Sequence, residues 1–369
     1  MNKQLKVAIV HDWLIGGGAE RVVSELHKLF PDAPIYTSYC SEQWRAQLDG
    51  KVITGFLQHW PFSRLRRFLP LLRIWWFSHL KFGGYDLVIS SSGNGEAFSI
   101  RVPKGTRHVC YCHTPTHYYW RHYDHYLNRP GFGIFDPFAR LGLRLLIGPL
   151  RKWDYRAAQR PDYFIANSTH IQADIKKYYR RNSIVIHPPV DVTRFRQTQN
   201  QTRETRTGFV TVGRQVTHKH VDIIVKACSK LHLPLTVVGQ GPDHDRLVHM
   251  AGSTVTFVLD ASDEEVVNYL RSAEAFLFAS FDDFGITPVE ALAAGTPVIA
   301  YKAGGALDYV LPGETGEFFA PQTAEALIAA LGTFNPRAYS TAALVRYAQN
   351  FSSQDFSRKI MRFLNTILN

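Results

Sequence analysis

Short apolar runs that end in glycine recur along the whole chain, and this repeat restricts the fold more than any other feature of the sequence. KVAIV at 6–10 precedes three glycines at 16–18 and a helical pattern from Ala19 to Phe30. The pattern restarts with GFVTVG at 208–213 and LTVVGQG at 235–241. Short apolar strands that alternate with helices predict an α/β protein whose parallel sheet is covered on both faces.

Both halves of the chain contain enough such runs to build a sheet of their own. The other candidate strands lie at residues 34–39, 51–54, 86–91, 107–112, 163–168, 183–190, 254–258, 275–280 and 297–301. Each half is therefore predicted to form a Rossmann-like doubly wound domain. Ligands of such sheets bind beyond the carboxyl ends of the strands, so the two domains are expected to face each other across a cleft.

A pair of prolines, Pro188 and Pro189, marks the predicted boundary, because proline continues neither a strand ladder nor a helix. We predict one domain over 1–188, a second over 189–350, and a C-terminal helix over 351–369 that crosses back to the first domain. The helix is predicted from apolar side chains at helical spacing, namely Phe356, Ile360, Phe363, Leu364 and Ile367.

The net charge of +11 is concentrated in one part of the chain. Residues 51–160 carry 17 basic and 5 acidic side chains, whereas the rest is nearly neutral. This excess favours an anionic partner: phospholipid, a diphosphate-linked molecule or nucleic acid. The first residues lack the apolar core of a secretory signal, and the four cysteines are scattered. We therefore expect a cytoplasmic protein without disulfides or a metal site.

Two glycine-containing turns are candidates for binding phosphate. Gly17 and Gly18 precede a helix N-terminus, where backbone N–H groups can approach an anion, although a plain tight turn explains them equally well. Gly213 and Arg214 follow the first strand of the second half, and Lys219 comes five residues later. These two cations can hold a diphosphate as a fork and a point charge. The alternative is two solvated surface cations.

The segment SFDDFGITPVEALAAGTPVIA at 280–300 is the most informative of the chain. It follows a predicted strand, and its loop consists of Asp282, Asp283, Phe284 and Gly285. The carboxylates of this loop can bind sugar hydroxyls, or they can simply be solvated.

A helix is predicted to follow this loop, with Thr287 as its N-cap and Pro288 as its first residue. The backbone N–H groups of Gly285, Ile286 and Thr287 are predicted to bind a phosphate. Glu290 lies on the first turn, eight residues after Asp282. It can accept hydrogen bonds from a ribose diol, or it can compensate the helix dipole.

These residues give the chain a specific resemblance. The 280–300 segment resembles the signature of retaining glycosyltransferases of family 4, which have the GT-B fold. The first acidic residue of that signature is usually Glu and here is Asp282. The resemblance also covers Gly213-Arg214 with Lys219, Gly239-Gln240-Gly241 and Gly304-Gly305. HDWLIGGGAERV at 11–22 and YCHTP at 111–115 resemble the subgroup that acts on bacterial surface polysaccharides, many of which resemble mannosyltransferases.

The resemblance implies a retaining hexosyltransferase. Because side-chain cations can replace a divalent ion, we expect it to be independent of metal and to need no cofactor. Its donor would be a nucleotide-sugar, GDP-mannose, bound by the second domain, and its acceptor a lipid-diphosphate-linked molecule or an oligosaccharide bound by the first. The implied catalytic residues are His113, Asp282, Arg214 and Lys219. The implied donor-binding residues are Gly17, Gly18, Gly213, Gly239, Asp283, Phe284, Gly285, Ile286, Thr287 and Glu290.

His113 directly follows the predicted strand 107–112. A residue at this place lies at the edge of the sheet where ligands bind, and the resemblance implies that it contacts the donor sugar. The alternative is a structural histidine, which most of the 16 histidines must be.

Tryptophan, leucine and arginine are mixed throughout the segment 61–81, PFSRLRRFLPLLRIWWFSHLK. Such a composition favours contact with the inner face of the cell membrane without spanning it. An ordinary pair of helices broken at Pro70 is the alternative.

Two other functions fit parts of the sequence. One is a nucleotide-sugar epimerase of the same fold, and the other is a non-enzymatic protein that binds an anionic partner through the basic region. A nucleic-acid partner is not expected. A dehydrogenase is disfavoured because both halves lack the G-x-G-x-x-G fingerprint.

Overall fold

The computed structural model describes residues 5–66, 69–121, 123–128, 133–195 and 206–368. The chain divides into two units, Met1–His187 and Pro188–Asn369. Each unit is built on one parallel sheet with helices, which confirms the prediction of two Rossmann-like domains.

The first unit contains seven strands. They are β1 Val7–His11, β2 Ile35–Thr37, β3 Val52–Ile53, β4 Leu87–Ser92, β5 Arg107–Cys112, β6 Tyr163–Ala166 and β7 Ile184–Val185. Their order in the sheet is β3-β2-β1-β4-β5-β6-β7. β1 is buried along its whole length, because helices cover both faces of a parallel sheet.

The helices of the first unit follow the predicted alternation. They are α1 Gly18–Leu29, α2 Glu42–Gln47, α3 Phe62–Leu65, α4 Pro70–Ser78, α5 Tyr123–Asn128, α6 Asp136–Ala157 and α7 Thr169–Asp174. Pro70 begins α4 because the first helical position needs no N–H donor. The Ser168 side chain caps α7 by accepting the N–H of Ile171.

The second unit contains six strands. They are β8 Phe209–Val212, β9 Leu235–Val238, β10 Val255–Val258, β11 Ala275–Phe278, β12 Val298–Tyr301 and β13 Gly316–Phe319. Their order is β10-β9-β8-β11-β12-β13. The sequence analysis missed β13, because Gly316 and Glu317 leave it with an apolar run of only two residues.

Eight helices of the second unit lie within the described residues. They are α8 Val221–Lys230, α9 His244–Met250, α10 Asp263–Ser272, α11 Ile286–Ala293, α12 Ala306–Tyr309, α13 Ala324–Thr333, α14 Thr341–Ala348 and α15 Ser353–Leu368. Phe356, Ile360 and Leu364 form the buried side of α15. A helix was predicted here; that it crosses back to the first domain stays a prediction.

The four cysteines are buried free thiols. Cys110 and Cys112 on β5 pack in the apolar core with Phe98 and Phe164.

In each sheet, the order in which successive strands are added reverses once. In the first unit the chain runs outward from β1 on one side and from β4 on the other, and β8 and β11 form the same junction in the second unit. The carboxyl ends of strands at such a junction are the usual ligand site of an open parallel sheet.

Candidate active site

The carboxyl ends of β1, β4 and β5 bring three polar side chains of the first unit together. His11 ends β1 and pairs in register with Ser91 on β4, and His113 directly follows β5. The Ser91 hydroxyl lies 2.8 Å from Nε2 of His113 and 3.1 Å from Nδ1 of His11. His11 Nδ1 is also 2.8 Å from the Ser91 carbonyl oxygen. Sequence reasoning identified His113 but missed its partners His11 and Ser91.

Burial keeps His113 neutral. The pKa of its imidazole is lowered to about 3, first by desolvation and second by the neighbouring His11. Its main chain is held on both sides: the N–H donates to the Ser92 carbonyl at 2.8 Å, and the carbonyl accepts from Asn167 at 2.9 Å. The ring can therefore form hydrogen bonds to a ligand without bringing a charge.

The carboxylate of Asp12 holds the loop that follows β4. It is 2% exposed and accepts the N–H groups of Gly93, Asn94 and Ala97 at 2.8, 2.9 and 2.7 Å. The hydroxyl of Ser92 donates to the same carboxylate at 3.1 Å. Asp12 was also missed, although an acidic residue directly after the first strand was a visible signal.

The first glycine turn already has an acidic neighbour. Helix α1 begins at Gly18 after Gly17, and the Glu20 carboxylate accepts the N–H of Gly16 at 3.0 Å. A Cβ placed on Gly17 would lie 3.0 Å from the same carboxylate. A phosphate at this turn would meet the carboxyl group of Glu20, which repels it if charged. The donor-binding role of Gly17 and Gly18 stays a prediction.

In the second unit, Lys219 and Asp282 lie together at the junction of β8 and β11. Lys219 Nζ is 2.5 Å from Oδ2 of Asp282, and the Ser280 hydroxyl donates to Oδ1 at 2.5 Å. Both charged side chains are partly exposed. Two residues 63 positions apart, each predicted from the sequence to be catalytic, therefore form one ion pair.

Gly213 and Gly239 lie where β8 and β9 end side by side. A Cβ on Gly239 would lie 2.3 Å from the Gly213 carbonyl oxygen, and its φ is +116°. Only glycine fits such a position. The next residue, Arg214, is exposed at this strand end.

The start of α11 differs from the prediction. The helix begins at Ile286 and Gly285 is its N-cap, so the prediction of Thr287 as N-cap and Pro288 as first residue was wrong. Gly285 has a φ of +88°, a conformation that glycine adopts readily. The loop therefore enters the helix two residues before the predicted N-cap, Thr287. The backbone N–H groups of Ile286 and Thr287 belong to the first turn, where they have no partner within the helix.

A buried hydroxyl lies beneath this helix start. Tyr309 is fully buried, and its hydroxyl has no hydrogen-bond partner among the described residues. A Cβ on Gly285 would lie 2.7 Å from that hydroxyl oxygen. Burial first, and the charge of Asp282 second, raise the pKa of Tyr309, so the hydroxyl keeps its proton. Because buried polar groups are nearly always paired, this donor indicates a ligand or a water at the turn.

Glu290 lies on α11 with 5% exposure. Nη2 of Arg194 is 3.7 Å from its Oε1, so the carboxylate has a cationic neighbour that the sequence analysis did not identify. The ribose-binding role of Glu290 stays a prediction.

The remaining residues of the loop are placed in different environments. Phe284 is 4% exposed and packs against the ring of Tyr309 at 5.6 Å between centroids. Its side chain therefore belongs to the core, and a donor contact by Phe284 is left to its main chain. Asp283 and Ile286 are half-buried.

Among the described residues, no group of three or more His, Cys, Asp or Glu side chains is placed to hold a metal ion. Over the same ranges, no helix has the length and hydropathy needed to cross a bilayer.

Two family profiles together cover almost the whole chain. Residues 16–194 match the profile described as Glycosyltransferase Family 4, and residues 192–365 match the profile described as Glycosyl transferases group 1. The chain carries the two domains of a GT-B glycosyltransferase. This agrees with the resemblance of the 280–300 segment and with the two parallel sheets.

Solved structures with a similar fold include two other proteins of similar length. Anabaena HepE, solved in complex with UDP, covers 98% of this chain and 100% of its own, with a TM-score of 0.69 and 17% identity. Sucrose-phosphate synthase from Thermosynechococcus elongatus covers 99% of both chains, with a TM-score of 0.68 and 17% identity. At this identity the likeness confirms the GT-B fold class only.

Curated relatives are also glycosyltransferases. D-inositol 3-phosphate glycosyltransferase of Rhodococcus jostii is 30% identical over 224 residues, which are 52% of this chain and 49% of that protein. Alpha-1,3/1,6-mannosyltransferase ALG2 of Dictyostelium discoideum is 23% identical over 85% of this chain and 86% of its own. The chain thus spans about half the length of the first relative and most of the second.

Proposed function

We propose that this protein is a retaining glycosyltransferase that moves a hexose from a nucleotide-sugar to a lipid-linked or glycan acceptor in bacterial surface polysaccharide synthesis. The two glycosyltransferase domains support the class of reaction. Mannose and GDP-mannose are proposed because the motifs at 11–22 and 111–115 resemble mannosyltransferases and because one relative is a mannosyltransferase.

The observation that carries this proposal is the set of positive and hydrogen-donating groups around Asp282. They are the Lys219 ammonium, the Tyr309 hydroxyl, which has no partner among the described residues, and the first amides of α11. All three stabilise an anion, and a diphosphate has enough oxygen atoms to accept from each of them. We propose that they bind the diphosphate of the donor and stabilise its charge as the bond to the sugar breaks.

Asp282 has a matching role in this arrangement. Its carboxylate holds Lys219 on one oxygen and Ser280 on the other, which fixes the position of the cation before a ligand arrives. We propose that Asp282 and Asp283 also accept hydrogen bonds from the sugar, that Arg214 contacts the diphosphate, and that Glu290 holds the ribose.

In the proposed reaction, the bond between the anomeric carbon and the diphosphate oxygen breaks and the acceptor oxygen attacks from the same face. The acceptor proton passes to an oxygen of the leaving diphosphate. Side-chain cations take the place of a divalent metal, so activity is expected to persist in EDTA. Activity that EDTA abolishes and magnesium restores would contradict metal independence.

Thermal stability in the presence of nucleotides tests the proposal directly. A ligand that binds only the folded protein raises the melting temperature, so GDP-mannose, GDP, UDP-glucose and UDP are compared at equal concentration. We expect GDP-mannose to give the largest shift, Lys219→Ala to reduce it, and Lys226→Ala, a cation on the outer part of α8, to leave it unchanged. No shift with any nucleotide would overturn the proposal, and a larger shift with UDP-glucose would overturn the choice of GDP-mannose.

Product analysis separates transfer from the alternatives. Incubation with donor alone yields an epimer only if the protein is an epimerase, whereas a transferase yields a new glycoside only with an acceptor. Nucleotide binding that Lys219→Ala weakens would exclude a protein that only binds anions through residues 51–160.

We further propose that the first unit rests on the inner face of the cell membrane. The segment 61–81 supplies part of the surface, since Leu71 and Trp75 on α4 are exposed. Arg73 does not contribute, because it is 4% exposed and donates to both carboxylate oxygens of Glu96. Arg67 and Phe68 lie outside the described residues.

Helix α6 offers a second surface for the same partner, which sequence reasoning did not identify. None of the residues 136–153 is buried. Phe138 and Leu145 are 74% and 69% exposed, and Arg140 and Arg144 between them are exposed as well. Large apolar side chains interleaved with arginine fit an anionic bilayer, whose acyl chains take the former and whose phosphates take the latter.

Vesicle sedimentation tests this surface. We expect the protein to bind phosphatidylglycerol vesicles more than phosphatidylcholine vesicles, and Phe138→Ser with Leu145→Ser to reduce that binding. Leu307→Ser, at an exposed leucine of the second unit, is the control. Unchanged binding by the double variant would exclude α6, and dimers that the double variant abolishes would indicate a second copy of the chain as the occupant.

A further inference from the structure

The Ser91 hydroxyl lies between two imidazoles, and this arrangement determines where the proton of each ring is. Ser91 is fully buried on β4, the strand between β1 and β5. Its hydroxyl oxygen is 3.1 Å from His11 Nδ1 and 2.8 Å from His113 Nε2. The Ser91 carbonyl oxygen is 2.8 Å from the same nitrogen of His11.

The proton on His11 follows from the carbonyl. A carbonyl oxygen only accepts hydrogen bonds, so Nδ1 of His11 must carry a hydrogen and donate it to Ser91. A nitrogen that carries a hydrogen has no lone pair to offer in the ring plane. The Ser91 hydroxyl therefore cannot donate to His11.

The hydroxyl hydrogen of Ser91 is then donated to His113. Within the described part of the chain, Nε2 of His113 is the one other acceptor in reach of the Ser91 hydroxyl. If Nε2 donated instead, a fully buried hydroxyl hydrogen would be left without an acceptor, which is costly. The low-cost arrangement is a chain of two bonds, from His11 Nδ1–H to Ser91 and from Ser91 Oγ–H to His113 Nε2.

We propose that His11 and Ser91 are positioning residues that hold His113 as its Nδ1–H tautomer, so that it presents a neutral donor to a sugar oxygen. The identity of the ligand rests on the proposed function, whereas the tautomer does not. No partner of Nδ1 of His113 is found among the described residues, so its N–H is available to donate a hydrogen bond to a ligand. His113 thus recognises an oxygen acceptor and does not act as a base at Nε2.

The chemistry of histidine makes this assignment measurable. A neutral imidazole in water carries its hydrogen mostly on Nε2, and in a protein the bond made by one nitrogen sets the state of the other. The low pKa of His113 keeps the ring neutral at the pH of the measurement, so its two nitrogens give distinct pyrrole-type and pyridine-type ¹⁵N signals.

The decisive experiment is a two-dimensional ¹⁵N spectrum of the histidine side chains of the full chain without ligand. We expect His113 to have a pyrrole-type Nδ1 and a pyridine-type Nε2, and Ser91→Ala to shift it towards the opposite pattern. Ser90→Ala is the matched control, because Ser90 is the neighbouring buried residue on β4 and pairs with His108 at 2.9 Å. A pyrrole-type Nε2 in the wild type, or a signal of His113 that Ser91→Ala leaves unchanged, would overturn the proposal.

A second measurement uses side chains that imitate one nitrogen each. Asparagine places its amide near the former Nδ1, and glutamine places its amide near the former Nε2. The proposal therefore expects His113→Asn to keep more transfer activity than His113→Gln, by about tenfold for one hydrogen bond. The reverse order would contradict it. If the wild type itself shows no transfer, the proposed function fails while the spectrum still decides the tautomer.

Discussion

The two candidate sites lie at the same kind of sheet junction but are built in opposite ways. In the first unit, His11, Ser91 and Asp12 are buried, and the chain's own hydrogen bonds take up their polar atoms. In the second unit, the charges of Lys219 and Asp282 are partly exposed and the hydroxyl of Tyr309 has no partner among the described residues. The first site is thus organised by the protein's own hydrogen bonds, whereas the second is the one that we propose is completed by an anion.

The largest expected effect concerns the second site. Lys219→Ala should lower transfer activity by about 10²–10³-fold, the size found for groups that stabilise charge in a transition state. It should change stability little, because a partly exposed ion pair contributes about 0–1 kcal/mol. Initial rates and urea unfolding measure the two quantities, with Lys226→Ala as the control. A variant that loses stability and keeps activity would reverse the contrast between the sites.

A buried acid of the first unit should make that unit sensitive to pH. Asp154 accepts from Thr116, Trp120 and Tyr179, yet burial raises its pKa to about 6. The unfolded value is about 4, so the folded protein binds more protons between these values. Stability therefore falls as pH rises from about 4 to about 6, by up to about 1.4 kcal/mol per pH unit, and levels off above.

Asp154→Asn should remove this slope, and Asp32→Asn, at an exposed acid, should not. The seven tryptophans of the chain all lie between residues 13 and 153, so tryptophan fluorescence follows unfolding of the first unit. Parallel curves of unfolding free energy against pH for wild type and Asp154→Asn would refute the assignment.

Gly285→Ala should destabilise the second unit by about 2 kcal/mol, partly through its positive φ and partly through contact with Tyr309. Gly313→Ala separates the two causes, because Gly313 has a φ of +78° with nothing within 4 Å of a Cβ. We expect Gly313→Ala to lower the free energy of unfolding by about 1 kcal/mol. Far-ultraviolet circular dichroism should detect the loss, while tryptophan fluorescence stays unchanged. Equal costs at the two glycines would mean that the hydroxyl does not crowd the turn.

The smallest effect distinguishes two tyrosines. Tyr309→Phe removes a buried hydroxyl that has no partner in the described part of the chain, so stability should be unchanged or rise by about 1 kcal/mol while nucleotide binding weakens about tenfold. The Tyr339 hydroxyl donates to Glu317 at 2.6 Å, so Tyr339→Phe should cost about 1 kcal/mol and leave binding unchanged. Calorimetric titration with nucleotide supplies the affinities. If both variants bind like the wild type, the Tyr309 hydroxyl does not contact the ligand.

The sequence predicted the elements whose signal is local. Twelve strands were found because apolar runs bounded by glycine or proline identify buried parallel strands. The strand β13 was missed because Gly316 and Glu317 leave only two apolar residues in it, and its place in the sheet depends on β12 beside it. The start of α11 was misplaced because Thr287 and Pro288 imitate a capped helix, whereas the positive φ of Gly285 is visible only in three dimensions.

The residues of the candidate active site were likewise predicted where their signal is local and missed where it depends on packing. Lys219 and Asp282 were predicted from motifs, but their contact joins two distant loops through the pairing of β8 with β11. His11 and Ser91 were missed because neither is unusual by itself, and their role depends on the register of β1 with β4. The Tyr309 hydroxyl, buried without a partner within the described ranges, has no sequence signature, since such burial is a property of packing.

The central place of β1 has a consequence for how the protein is made. Val7 pairs with Leu87, so β1 gains its neighbour β4 only after some 80 residues more have been synthesised. At roughly 5–20 residues per second this delay lasts several seconds. During that time an apolar strand leaves the ribosome with one open edge. Slow translation ahead of β4, or loss of the chaperones that shield nascent chains, should therefore lower the yield of soluble protein.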